Sequence, residues 1–382
     1  GAVPEDAAGD GLAVDVVRTA PPEPVAVPAG PRRRTRSRRR WLAAVLALVL
    51  LAGTLVVGRV VAGQPRASTP STATATTASP GSVAPVRPSP VVATIATGGF
   101  SYSMAAGAGA VWVAGSDQVT RVDPATNTVA ARIPVAATGA GPAGVAVGAG
   151  AVWVPVAIPG ALWGIDPATD KVTSKIPLDQ PLSGSISVAA TGDTVWVACC
   201  GQSGGVSTSS GRLLRVDTRR ERVVADIALN ASPVAIAADT SAAWVATAGG
   251  QVLMVNPKRN RVTATINAGG PLAFDRSIAV GAGGVWLADP FDEQLVRIDP
   301  ETRQVTARIP AGAATTLAVT RNTVWALSSL GLVRVDPAKD RVAAIDPSTE
   351  LRRARLVAAD AKAVWTAGWS SVSRIDPDLV GR

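Results

Sequence analysis

Few residues in this 382-residue chain are equipped for chemistry, and they are unevenly placed. There is no histidine, which removes the side chain that most often serves as general base and transition-metal ligand. The two cysteines, Cys199 and Cys200, are adjacent, so they cannot staple distant loops or supply a Cys-rich zinc site. Such a pair can close a strained vicinal disulfide, but two small residues at a strand end is the simpler expectation. Carboxylates crowd together at Asp289, Asp292 and Glu293. Hard oxygens so close can ligate Ca²⁺, yet three acids in one loop are more often just solvated, and no cofactor is assigned. The other charged candidates are Asp275, Arg276, Arg352, Arg353 and Arg355. The aromatic candidates are Phe100, Tyr102, Phe274, Phe291 and Trp369, in a chain that is only 4% aromatic.

A repeat must position all of these. Gly107-Ala108-Gly109-Ala110-Val111-Trp112-Val113 recurs in near-copies centred on Trp153, Trp196, Trp244, Trp286, Trp325 and Trp365, at spacings of 41, 43, 48, 42, 39 and 40 residues. A period near 40 made of short β segments predicts an all-β seven-bladed β-propeller over residues 91–382. In the second repeat the strands read as 144–147, 151–156, 161–165 and 171–176. Asp166-Pro167-Ala168-Thr169-Asp170 forms the turn before the last, because Asp can bond the backbone two residues on and Pro presets φ. The outer strand carries Val and Ile four residues apart, as in Val129/Ile133 and Val172/Ile176. The last repeat lacks that strand. Val91-Val92-Ala93-Thr94-Ile95 is therefore expected to complete it and close the ring, leaving no open sheet edge. The seven repeated Trp residues read as blade-to-blade packing rather than as ligand contacts.

Antiparallel strands place the loops alternately on two rims. One rim is monotonous, built from Gly-Ala-Gly and Asp-Pro-Ala-Thr turns. The other gathers the irregular residues named above, together with the 199–211 insertion. Aromatics beside charges on loops of a rigid scaffold suit recognition, although such rings can also simply cap a core.

The N-terminal quarter is organised differently. Residues 1–31 read as a disordered tail. Seven arginines between Arg32 and Arg40 then precede 18 uncharged residues, Trp41 to Gly58. That run is long enough for a membrane helix over 41–63 with its N-terminal side cytoplasmic. A cleaved twin-arginine export signal is the rival reading, and both place the repeats outside the cytoplasm. Residues 64–90, rich in Ser, Thr and Pro, read as a linker. Net charge is +9, but residues 1–63 hold 9 Lys+Arg against 5 Asp+Glu, which leaves +5 for the rest. The basic balance is thus partly a membrane flank, and nucleic acid is not expected as a partner.

The strings Gly107 to Ala114 and Val296 to Pro310 resemble YVTN-type bacterial β-propellers and are similar to the streptogramin (virginiamycin B) lyase superfamily. The resemblance implies the fold over 91–382. It also implies, for the lyases, a catalytic histidine that this chain does not contain. The order of segments resembles receptor-type kinases and regulators with sensor propellers, which implies an effector domain upstream of Gly1 or one since lost. The functional expectation is a membrane-anchored extracytoplasmic binding or scaffold module for a ligand or envelope protein. The alternative is a lyase- or hydrolase-like enzyme using carboxylates, possible with Ca²⁺.

Overall fold

The computed structural model describes residues 88–135, 142–179, 181–199, 211–270 and 277–381. The expected tail, membrane helix and most of the linker lie outside the described residues. Among the described residues, no helix is long and apolar enough to cross a membrane.

Seven four-stranded antiparallel sheets form the fold. Each blade runs outward through strands a to d, as in Ser103–Gly107, Ala110–Ala114, Gln118–Asp123 and Thr128–Pro134 of blade 1. Alternation explains the outer strands, where Ile133, Ile176, Ile227, Ile266 and Ile309 are buried between exposed neighbours. In blade 7 the sheet order places Val91–Ala96 beside Ser371–Ile375. Val91 pairs with Ile375 and Ile95 with Val372, so the ring closes as the sequence predicts.

The core consists of seams between blades. Each of seven buried clusters joins two consecutive blades around one repeated Trp. Trp112 packs with Val145, Val152 and Val154 of blade 2, and at closure Trp365 packs with Val111 and Val113 of blade 1. Buried indoles of this size each carry several kcal/mol, about 3–5 kcal/mol on truncation to Ala. Close approach requires glycine at the start of the a–b turn in blades 1, 2 and 5, since a Cβ on Gly148 would stand 2.7 Å from the Ala190 carbonyl oxygen of the next blade, and one on Gly107 or Gly281 would stand 2.9 Å from a valine there. That turn is a two-residue type I′ loop, with Ala108 at φ +49° and Gly109 at +74°.

A second set of contacts holds the seams. Trp112 faces Arg121 across the b–c ladder, with the guanidinium 5.7 Å from the ring centroid. Arg121 then donates to Asp170 in the c–d turn of blade 2 at 2.9 Å. Arg297 repeats this over Trp286, donating to the Pro337 carbonyl (2.8 Å) and Asp340 (2.7 Å) of blade 6. Arg215 reaches the Pro257 carbonyl and Asn260, and Arg334 the Pro377 carbonyl. Arg374 of blade 7 reaches Pro124 and Asn127 of blade 1, so the same latch fastens the closure. The acceptors Asn127, Asp170, Asn260 and Asp340 all sit at positive φ. Two seams lack the latch. Trp153 faces Gly164 and Trp244 faces Met254, and in the following blades the positive-φ position is Glu221 or Arg303 instead.

One departure from an all-β reading is the single turn of helix Thr349–Arg353 between blades 6 and 7. Leu351 is buried in that seam. Glu350 accepts hydrogen bonds from Thr94 (3.1 Å) and Ser373 (2.9 Å), side chains of the two paired closing strands.

Candidate functional site

Strand polarity defines two rims. The a–b and c–d turns form a turn rim, and the b–c and d–a loops form a loop rim. The turn rim is stitched by local bonds. The Ala125 N–H donates to Asp123 at 2.7 Å and the Ala168 N–H to Asp166 at 2.9 Å. These backbone donors hold both carboxyls below the usual carboxylate range. The Arg220 N–H does the same for Asp217, the Thr302 N–H for Asp299, and the Lys339 side chain for Asp336.

On the loop rim the predicted residues separate into two groups. Phe100 (54% exposed) and Trp369 (56%) come together across the closing seam, edge to face with centroids 5.2 Å apart. Arg355 lies 4.2 Å over the Trp369 ring. The Ser101 N–H donates to the Trp369 carbonyl at 3.1 Å, tying the two loops. Tyr102 (58% exposed) stands next in the chain, and its N–H is fixed to the Ala114 carbonyl at 2.9 Å. Arg352 and Arg353 are exposed at the end of the short helix. Arg352 donates to the Pro347 carbonyl.

Phe291 (66% exposed) belongs to blade 5, away from that seam. Its acidic neighbours do not form one exposed cluster. Asp289 ends a central strand and is 1% exposed, so it lies beneath the rim and does not face solvent. It accepts from the Asp292 N–H and the Gln294 amide at 3.4 and 3.3 Å. Asp292 and Glu293 are exposed. Among the described residues, no group of three or more His, Cys, Asp or Glu is arranged to hold a metal. Phe274, Asp275 and Arg276 lie outside the described residues. Cys199 corrects an expectation: it is buried and disulfide-bonded, not merely a small residue at a strand end.

Two features were missed in the sequence. The first is a central cavity of about 260 Å³ at the loop-rim ends of strands a. One position per blade, nine residues before each repeated Trp, lines its mouth: Ser103, Gly144, Ser187, Ala235, Ser277, Thr316 and Leu356. No carboxylate or basic group lines it. The second is a small cavity of about 50 Å³ beside Phe100, walled by Thr97, Ser101, Asp117 and Thr120. The hydroxyls of Thr97 and Ser101 are buried there without a hydrogen-bond partner. The ring of lining positions could have been read from the fixed offset to Trp, whereas the second cavity has no sequence signal.

Solved propellers share this architecture. The chain is similar to Kuenenia stuttgartiensis hydrazine synthase at 17% identity and a TM-score of 0.55, over 73% of this chain and 96% of that one. The Pan2 WD40 domain of Neurospora crassa gives 11% and 0.54, over 73% and 90%. The computationally designed Ika8 protein gives 10% and 0.53, over 74% and 98%. At these identities the likeness establishes the fold alone. No family model and no curated protein matches the chain.

Proposed function

We propose that this propeller is a binding module whose loop rim receives an extracytoplasmic ligand or envelope protein, carried on the membrane helix expected at 41–63. One observation carries the reading. Of the seven large hydrophobic side chains exposed among the described residues, six lie on b–c or d–a loops: Phe100, Tyr102, Ile158, Phe291, Leu330 and Trp369. Exposed apolar side chains gathered on one face of a soluble scaffold mark an interaction surface, whereas scattered ones do not. The absence of histidine from the chain and of carboxylates from the central cavity lining favours binding over the alternative of a carboxylate-based lyase or hydrolase. The likeness of the blade strings to YVTN-type repeats fits the same reading.

Hydrogen exchange on the full chain, with and without an extracted envelope fraction that it retains, tests the proposal. Protection is expected at 97–102, 329–330 and 368–370. Protection confined to the a–b and c–d turns would reject the loop rim as the binding face.

A further inference from the structure

Resting on the loop-rim reading, we infer that the seam between blades 7 and 1 is the anchor point for an acidic polypeptide segment, with a carboxylate on Arg355 and an adjoining apolar side chain against Phe100. Arg355 lies over Trp369, with Cζ 4.2 Å from the ring centroid. Stacking fixes the side chain before any partner arrives and leaves the edge N–H groups of the guanidinium free for a two-pronged carboxylate contact. Among the described residues no ion pair engages Arg352, Arg353 or Arg355. These three are also the only arginines on the described loops of this rim, and Arg132 of the neighbouring outer strand adds a guanidinium beside Gly98.

The rest of the seam fits a peptide. Phe100 meets Trp369 at an interplanar angle of 78°, and Arg355 covers a face of the indole. Crossed rings covered on one face by a guanidinium present edges to an aliphatic or aromatic side chain, not an open platform on which a sugar or base ring stacks. Beside Phe100, Thr97 is 3% exposed. Its hydroxyl and that of Ser101 lack partners and line the 50 Å³ cavity. Both hydroxyls are shut off from the surface, so they belong to the support of the Phe100 loop and not to its contact face. A polyanion is a poorer match, because three arginines flanked by Glu350 make no continuous cationic track.

The probes are synthetic dodecapeptides in three matched sets: acidic residues beside Leu or Phe, the same with Lys replacing the acids, and the same with Ser replacing the apolar residues. Each is titrated against the full chain, with polyphosphate as a fourth arm. Only the first set is expected to bind. Binding should weaken roughly tenfold or more in Trp369→Ala and Arg355→Gln, the loss expected of a buried anchor. Arg355→Lys should not rescue it, because an ammonium cannot offer the planar fork. Trp369→Ala and Arg355→Gln should both retain the melting temperature, since these side chains lie on exposed loops. Unchanged binding in Trp369→Ala would overturn the assignment, as would tighter binding of polyphosphate with the same sensitivity to Arg355→Gln. Peptide binding that survives those changes but is lost in Phe291→Ala would overturn the seam and leave the loop-rim reading intact. Failure of every peptide set would overturn the peptide assignment, while the exchange experiment with the envelope fraction still judges the rim.

Discussion

Alanine holds a left-handed turn position three times in this ring, at Ala108, Ala149 and Ala282, each with φ between +48° and +49°. A Cβ there costs about 1–2 kcal/mol relative to relaxed backbone, and Asn before Gly is the residue pair that this turn type prefers. Ala108→Asn should therefore raise stability by about 0.5–1 kcal/mol, read as a higher thermal midpoint. Repeated strings make much of the residue-level design legible. The triplets Arg121-Val122-Asp123, Arg215-Val216-Asp217, Arg297-Ile298-Asp299, Arg334-Val335-Asp336 and Arg374-Ile375-Asp376 announce the latch, although its target in the next blade is visible only in space. The Phe100–Trp369–Arg355 cluster is legible only in part. Its aromatics can be assigned to one rim by strand counting, but their meeting depends on a 5.2 Å approach between residues 269 positions apart.

Seams are the working elements here, more than single sheets. Five are fastened by Arg bonded to the following blade, and the two exceptions show what the latch requires. Where Trp244 faces Met254, the next blade offers Arg303 in place of Asn or Asp, so an arginine at 254 would aim at like charge. Met254→Arg should destabilise the fold, whereas Met254→Arg with Arg303→Asn should build the missing latch and recover the loss, a coupling of about 1–2 kcal/mol. A double-mutant cycle by chemical denaturation measures it. Closure has its own test. Ile95 is buried between the paired ends, and Ile95→Ala should cost about 2–4 kcal/mol. Amide exchange should then quicken first in Val91–Ala96 and Ser371–Ile375 if blade 7 is the weak link. The strand exchange between termini was readable because the last repeat lacks its fourth strand while Val91/Ile95 carries the same four-residue offset. The helix Thr349–Arg353 was not readable, since five residues are too few to show a helical period.

For the molecule as a whole, the absence of histidine shapes its response to pH. No side chain with an ordinary pKa between 5 and 8 is present, so stability should be nearly flat across that window. The turn carboxyls Asp123, Asp166, Asp217, Asp299 and Asp336 are all held below 3.8. A lowered native pKa means that the unfolded chain takes up protons first. Their contribution is therefore complete above about pH 4 and is lost as pH falls through the lowered values. Melting followed from pH 8 to pH 2 should show a plateau and then a steep acid limb.

Ring closure also fixes how the molecule can be presented. Val91–Ala96 runs from the turn rim towards the loop rim, and the backbone N–H of Asp376 donates to the Pro90 carbonyl at 2.8 Å. The polypeptide thus enters and leaves the wheel through one side, the plain one. A label or tether joined at Pro90 therefore starts on the face opposite Phe100, Tyr102 and Trp369.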